Sequence, residues 1–258
     1  MKLVWKAFSI CKDGNRDDEN EDAVYPQLVN GSSLTVDHFS CAMADGATTS
    51  SFSKLWANLL VKESSLSHNL QQDFNQTLNS ARAIWKNELS DKELPWPTAI
   101  KVKQGSFATL LWFHIWKKNS LFPSKNGSSD RGWVANAVGD TCIFHMVKGR
   151  VAVSFPLERP DQFSNTPELV STNLAYQRTR ISNRSMSGTW QKGDHFLIAS
   201  DALAAWLMGA AESNAFLWPV ISENLTSQVR FHTWIRSLRR QGKIKNDDTS
   251  LIALSVDE

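Results

Sequence analysis

The chain has 258 residues, 41% of them hydrophobic and 21% charged, which is enough apolar material for a core that needs neither disulfides nor a structural metal. Its formal net charge of +2 is too small to indicate binding to nucleic acid or to an anionic membrane. The three cysteines show no metal-ligand spacing, no apolar run reaches the roughly 18 residues of a membrane span, and the first residues lack the features of a secretory signal. We therefore expect a cytoplasmic protein with reduced cysteines and no membrane or nucleic-acid partner.

In the first half of the chain, hydrophobic patterning predicts three extended segments and then two helices. An acidic loop, DGNRDDENEDA, separates the first two segments, and the third stops abruptly at an Asp-Gly turn. The extended segments are predicted at Leu3 to Ile10, near Val24 and at Phe39 to Ala44, and the helices at Phe52 to Lys62 and Leu70 to Leu89.

The second half begins with strand-like runs, which a long polar stretch separates from further strands and helices. The stretch from Leu157 to Trp190 is rich in Ser, Asn, Thr and Arg, and this predicts a mobile excursion or substrate-facing flap with one short helix. The strands are predicted at 106–116, 132–138, 142–147, 151–155, 195–200 and 250–256, and the helices after Asp201 and over 220–240.

This order of elements favours one fold class over another. Strands and helices do not alternate regularly, which argues against a doubly wound parallel sheet. We expect an α+β fold in which a central antiparallel β-sandwich is flanked by helices, as a single domain over residues 1–258.

Three aspartates stand where predicted strands begin or end. Asp45 and Asp201 each follow an apolar strand, and Asp247 comes immediately before one. If these strands are neighbours, their carboxylates would repel one another unless a cation compensated them. Oxygen ligands without His or Cys select Mg²⁺ or Mn²⁺. Each residue also has an ordinary interpretation: a turn at Asp45, a helix N-cap at Asp201 and a polar loop at Asp247.

Six short motifs occur in a fixed order along the chain. This series resembles the type 2C metal-dependent serine/threonine protein phosphatases, as a bacterial-like single-domain member, from about residue 10 onwards. Each motif is weak alone, and it is the order and spacing that carry the resemblance. The motifs are NEDAV (20–24), MADGA (43–47), GSFATLL (105–111), ANAVGDTCIF (135–144), GDHFLIASDAL (193–203) and NDDTSLIAL (246–254).

The resemblance implies a four-layer αββα fold and a binuclear Mn²⁺ or Mg²⁺ centre, at which a metal-activated water attacks phosphorus. Asp45 would match the aspartate that bridges the two ions, and the carbonyl of Gly46 would complete one of them. Asp201 and Asp247 would match the carboxylates that hold the other.

The resemblance also implies roles for four further residues. Glu21 and Asp22 would match the pair that binds or orients metal-bound waters, which makes Asp22 a catalytic candidate. Asp140 would match the aspartate that joins Asp201 at a third, weaker metal site in some members. Arg16 would match an arginine that contacts the substrate phosphate, although it lies one residue further upstream than expected and could instead balance the acidic residues beside it.

Two departures from the family pattern concern catalysis. After Asp45-Gly46 the chain continues Ala-Thr-Thr-Ser, without the histidine that protonates the leaving group in some members. Ala202 replaces the usual glycine after Asp201. The expected function is a monomeric phosphoserine/phosphothreonine protein phosphatase, with a phosphorylated protein as its substrate and a cognate kinase system as its counterpart. The alternatives are a catalytically degenerate regulatory or binding module and a small-molecule phosphoesterase.

Overall fold

The computed structural model describes residues 1–27, 32–66, 74–117, 130–177, 181, 183–213 and 216–257. Two antiparallel sheets lie at the centre. The six-stranded sheet has the order β3-β1-β13-β12-β8-β9, and the five-stranded sheet has the order β11-β7-β6-β4-β2. The strands are β1 (Lys2–Ile10), β2 (Asp22–Tyr25), β3 (Ser32–Thr35), β4 (His38–Asp45), β5 (Phe107–Ala108), β6 (Leu110–Lys117), β7 (Arg131–Val138), β8 (Cys142–Val147), β9 (Arg150–Phe155), β10 (Val170–Ser171), β11 (Arg184–Gly188), β12 (His195–Ala199) and β13 (Thr249–Val256). The short strands β5 and β10 pair with each other as a separate ribbon.

Three apolar clusters show how the layers stack. One cluster lies between the two sheets and holds Trp5 of the six-stranded sheet together with Cys41 and Phe113 of the five-stranded sheet. Because side chains alternate along a strand, the neighbouring residues Ala42 and Trp112 point the other way, into a cluster with helices. Burial of this central layer is the main stabilising contribution, at about 1.5–3 kcal/mol for each large apolar side chain.

Helices cover both outer faces of the sandwich, as an αββα arrangement requires. The helices α1 (Ser53–Leu66) and α2 (Phe74–Ser90) pack on the five-stranded sheet. The helices α4 (Asp201–Glu212), α5 (Trp218–Asn224) and α6 (Gln228–Arg240) pack on the six-stranded sheet. A further helix, α3 (Trp96–Gln104), has no fully buried residue. None of the helices in the described ranges has the length and hydropathy that a membrane span requires.

The predicted α+β class with an antiparallel sandwich is confirmed, and most of the predicted elements are present. Residues 70–73 of the predicted second helix lie outside the described residues, and the described helix begins at Phe74. The predicted strand over 106–116 is two strands, because Thr109 between them pairs with Asp45 of β4. The helical segment over 220–240 divides where the Ser227 side chain accepts a hydrogen bond from Arg230 N and begins a new helix.

The stretch from Leu157 to Trp190, predicted as a mobile excursion or substrate-facing flap with one short helix, also contains strands that the sequence did not indicate. Its described residues include β10 and β11, and β11 forms the edge of the five-stranded sheet beside β7. Arg184 begins this edge strand, and Trp190 after it is buried. The sequence of β11 (RSMSG) has one apolar residue, Met186, which is a weak signal for a strand. As an edge strand it pairs only with β7 and needs fewer apolar residues.

Candidate active site

Two of the candidate carboxylates face each other across a strand pair in the five-stranded sheet. Asp22, the first residue of β2, is the register partner of Asp45, the last residue of β4. The backbone around Asp45 is held firmly, because Asp45 N donates to Thr109 Oγ1 at 3.0 Å and Thr109 N donates to the Asp45 carbonyl at 2.8 Å. The side chains of this pair therefore start from a fixed backbone position at one end of the sheet.

Gly46 follows Asp45 in a position that leaves little room for a side chain. A Cβ atom there would lie 3.0 Å from the Glu21 carbonyl and 3.0 Å from Ser53 Cβ. Gly46 N donates to the same Glu21 carbonyl at 3.3 Å, and Gly46 forms an isolated bridge with Ala108. Close contact of three backbone segments, and not a left-handed turn, thus explains this glycine.

The other candidate carboxylates lie at one end of the six-stranded sheet. Because β12 runs antiparallel to both β8 and β13, its last residue, Ala199, pairs with Cys142, the first residue of β8, and with Leu251, the third residue of β13. Asp140 precedes β8, Asp201 follows β12, and Asp247 precedes β13. Antiparallel pairing therefore brings three separate parts of the chain to a single edge.

The two groups of carboxylates meet where Glu21 N, just before β2, donates to Asp248 Oδ2, just before β13, at 2.7 Å. Burial raises the pKa of Asp45 well above its usual range, and the negative charges of Asp22, Asp201, Asp140 and Asp247 raise it further. Charges influence one another in this way only over short distances in a partly dry site. One end of each sheet thus contributes to a common acidic cluster, which consists of these five aspartates.

The fold that positions this cluster is found in solved structures. The sequence matches no protein-family model and no curated protein sequence. The serine/threonine phosphatase PstP/Ppp of Mycobacterium tuberculosis superposes with a TM-score of 0.62 at 13% identity, over 100% of both chains. The serine/threonine phosphatase of S. agalactiae gives a TM-score of 0.56 at 12% identity, over 98% of this chain and 100% of its own.

The chain has the type 2C serine/threonine phosphatase fold. A structure of the PstP catalytic domain in complex with two manganese ions has a TM-score of 0.57 at 15% identity, over 100% of both chains. At such low sequence identity, the similarity shows the fold alone, and the chemistry of the site depends on the residues of this chain.

Asp22 is a buried member of the acidic cluster. Burial raises the pKa of Asp22 to about 8; the charges of Asp248 and Asp201 add to the increase, while the hydroxyl groups of Ser250 and Ser200 oppose it. At neutral pH and without a cation, the Asp22 side chain is therefore largely protonated.

The surroundings of Asp22 fit a cation. Both of its carboxylate oxygens are buried and have no hydrogen-bond partner among the described residues. The nearby hydroxyl groups donate elsewhere: Ser250 Oγ lies 2.8 Å from Ser9 Oγ, and Ser200 Oγ donates to the Asp248 carbonyl at 3.5 Å. Because a buried carboxylate without donors is costly, a divalent cation is the natural partner for these oxygens.

The cluster is not a closed ligand cage. Within the described ranges, no three His, Cys, Asp or Glu side chains already surround a common point at ligating distance. The carboxylates are near enough to raise one another's pKa, but rotamer changes would have to bring them onto an ion. This is the arrangement expected of like charges that repel in the absence of a cation.

At the far end of the cluster, the buried Asp140 and the partly buried Asp201 form a second group. Burial, followed by the charge of Asp201, raises the pKa of Asp140 to about 7, whereas the charges of Lys245 and Arg184 oppose this increase. Burial and the charge of Asp247 raise the pKa of Asp201. Asp201 is the first residue of α4 and not its N-cap, and its Oδ1 accepts a hydrogen bond from Ala202 N at 2.5 Å.

Glu21 and Arg16 occupy different settings near the cluster. Glu21 Oε1 accepts a hydrogen bond from Ser53 Oγ at the start of α1, so its carboxylate is already engaged. Arg16 lies in the exposed loop before β2, where its guanidinium donates to Asp18 Oδ2 at 3.1 Å and its side chain is 75% exposed. The contacts described for Arg16 do not bring it onto the acidic cluster.

The sequence interpretation missed Asp248, the second aspartate of the Asp-Asp pair. Asp248 is buried and accepts hydrogen bonds from Lys12 N at 2.8 Å and Glu21 N at 2.7 Å. It therefore ties the acidic loop and the start of β2 to the start of β13, while Asp247 beside it remains partly exposed. The Asp-Asp pair in the sequence could have drawn attention to Asp248. Only the fold shows that Asp248 binds the loop, whereas Asp247 faces the cluster.

Proposed function

We propose that this chain is a metal-dependent phosphoserine/phosphothreonine protein phosphatase, a single domain that acts in the cytoplasm on a phosphorylated protein. The observation that supports the proposal most is the buried Asp22 carboxylate, whose two oxygens make no hydrogen bond among the described residues and which lies near the negative charges of Asp248 and Asp201. A site that concentrates unpaired carboxylates is costly for stability, so a function has to account for it.

The residues proposed to hold two divalent ions, Mn²⁺ or Mg²⁺, come from both sheets. Asp45 and the carbonyl of Gly46 would serve at the end of the five-stranded sheet, and Asp201 and Asp247 would serve at the end of the six-stranded sheet. When bound, the ions would supply an acidified water and neutralise charge on the phosphate. Those ions would also lower the pKa of the surrounding carboxylates and keep them ionised.

The protein's own groups would orient the reactants. Asp22 and Glu21 would accept hydrogen bonds from water near the phosphate, and the Ser53 hydroxyl fixes the orientation of the Glu21 carboxylate. Arg16 would contact the phosphate after it leaves Asp18. Breaking the ion pair between Arg16 and Asp18 would cost little free energy, because an exposed ion pair contributes only about 0–1 kcal/mol.

Hydrolysis of a phosphothreonine peptide in the presence of Mn²⁺, Mg²⁺ or EDTA tests this proposal. We expect turnover that requires the metal and is nearly abolished in Asp45→Asn, with the circular dichroism spectrum unchanged. The exposed Asp37→Asn variant serves as a matched control. Full activity of Asp45→Asn, or turnover in EDTA, would refute the proposal.

One observation favours the catalytically degenerate regulatory module as a second candidate. Arg16, the candidate for contacting the substrate phosphate, donates to Asp18 at 3.1 Å in an exposed loop. Binding of a phosphopeptide without turnover under any metal would support the module. Faster hydrolysis of a small phosphate ester than of the phosphopeptide would instead favour a small-molecule phosphoesterase.

A further inference from the structure

Positive charge is concentrated in one part of the sequence, α6 and the loop that follows it. Residues 228–246 contain six arginines and lysines and no aspartate or glutamate, although the net charge of the whole chain is only +2. Two of the six are engaged within the protein: the Arg230 side chain donates to Glu223 Oε1 at 3.0 Å, and Arg239 is buried. The other four are exposed, and we call them the basic ridge: Arg236, Arg240, Lys243 and Lys245.

The local structure exposes all four members of the basic ridge on the surface. Arg236 and Arg240 lie four residues apart in α6, so their side chains share one face of the helix. After the helix ends, Ile244 is buried in the cluster that α6 forms with the six-stranded sheet. Lys243 and Lys245 on either side of this anchor are exposed. The ridge therefore continues from the helix into the loop that leads to β13.

The basic ridge lies beside the acidic cluster, because several hydrogen bonds tie it to the segment that carries Asp247. Arg239, directly before Arg240 in the chain, donates from Nη2 to the Asp247 carbonyl at 2.6 Å. Asn246 joins the same loop to the loop before β2, since its Oδ1 accepts from Asp13 N at 2.7 Å and its side-chain amide donates to the Asp13 carbonyl at 3.1 Å. The ridge thus follows the rim of the candidate site.

The charges of the basic ridge are largely unpaired within the protein. The side chains of Arg240 and Lys243 make no hydrogen bond or ion pair with any of the described residues. Arg236 Nε lies 4.0 Å from Asp13 Oδ1, an oxygen that Arg239 already approaches to 3.0 Å. Such exposed, unpaired cations attract an anionic partner and give up little internal pairing when they bind it.

We propose that the basic ridge docks an acidic segment of the phosphoprotein substrate, next to its phosphorylated residue. The inference rests on the proposed function, which places a phosphorylated protein at the acidic cluster. Aspartate and glutamate side chains on one flank of the substrate would pair with the guanidinium and ammonium groups of the ridge. Because the acidic cluster itself repels such a flank, this pairing would orient the substrate with its acidic side towards α6.

Fluorescence anisotropy with a labelled acidic peptide that carries no phosphate tests the docking without any turnover. We expect the native chain to bind this peptide more tightly than a neutral peptide of equal length, and the difference should shrink at high salt. Arg240→Glu combined with Lys243→Glu should weaken binding of the acidic peptide about tenfold, since several exposed charge pairs become repulsive. Lys101→Glu combined with Lys103→Glu makes the same change of charge on exposed residues of α3 and should bind like the native chain. Equal binding of the two peptides by the native chain, or an equal loss in the α3 variant, would overturn the inference.

Kinetics with two phosphothreonine peptides, one with an acidic flank and one with a neutral flank, place the docking in the reaction. In the doubly substituted ridge variant, KM for the acidic peptide should rise about tenfold with little change in kcat, because docking stabilises the bound substrate and the transition state equally. The neutral peptide should be hydrolysed as by the native chain, and an equal rise in its KM would contradict the docking. Absence of turnover by the native chain with Mn²⁺ would count against the proposed function, whereas the anisotropy titration would still decide whether the ridge binds an acidic segment.

Discussion

Replacing Asp22 by Asn should change how the stability of the metal-free protein depends on pH. The pKa of Asp22 is about 8 in the folded chain, against an ordinary value of 3.8. Between these two values the folded state holds a proton that the unfolded state has released. The free energy of unfolding therefore falls as pH rises from about 4 to about 8, and it is highest below the unfolded pKa.

The expected magnitude follows from the shift. Each pH unit in this window costs about 1.4 kcal/mol for one such group, so Asp22 accounts for several kcal/mol between pH 5 and pH 8. Asp22→Asn removes this contribution because an amide does not ionise, and the variant should be more stable than the native chain at pH 8. Part of the slope should remain, since burial also raises the pKa of Asp45 and Asp140.

Urea unfolding at pH 5, 6, 7 and 8, with EDTA or with Mn²⁺, measures the effect. Mn²⁺ should restore the stability of the native chain at pH 8, because a ligand that binds only the folded state stabilises it. The restoration should be smaller in Asp22→Asn. The exposed Asp37→Asn variant should reproduce the native profile in both conditions. A native chain whose metal-free stability stays level or rises between pH 5 and 8 would refute this account of the site.

Three further substitutions test separate parts of the site. Gly46→Ala should destabilise the fold by about 1–3 kcal/mol in urea unfolding, since the new methyl group would lie 3.0 Å from the Glu21 carbonyl; an unchanged midpoint would show that the backbone there is free to move. Arg239→Met should lower the free energy of unfolding by about 3 kcal/mol or more, because Arg239 donates to the Asp247 carbonyl at 2.6 Å and its loss leaves buried acceptors unpaired. The variant should also bind Mn²⁺ more weakly in calorimetric titration, and unchanged binding would show that Arg239 does not help to position the metal site. Arg16→Ala should raise KM for a phosphopeptide with little change in kcat, and equal KM values would remove Arg16 from the site.

The sequence predicted the central strands well because each is a continuous apolar run or alternates in a simple way. The predicted strand at Phe39 to Ala44 lies within β4, and the predicted run at 195–200 matches β12 to within a residue. The sequence could not predict elements that are stabilised mainly by contacts with distant parts of the chain. The strand β11 has little apolar character, and α3 is short and contains a proline. Such segments depend on tertiary contacts more than on their own propensity.

The candidate site was predictable in its composition but not in its geometry. Asp45, Asp201 and Asp247 were expected to gather from their positions at strand ends, and the pKa of Asp45 indicates that their charges do act on one another. The separate role of Asp248 and the influence of Lys245 on Asp140 depend on loops that cross between elements. Such relations arise from packing of distant segments, which residue spacing does not record.

The acidic cluster is built from residues of both sheets, and this has a consequence for how cooperatively the protein unfolds. Asp22 and Asp45 belong to one sheet, whereas Asp140, Asp201 and Asp247 belong to the ends of strands in the other. A cation held by members of both groups would cross-link the two sheets at this end of their strands. Amide hydrogen exchange in the two sheets should then slow together when metal is added, so that the sheets open as one unit and not as two.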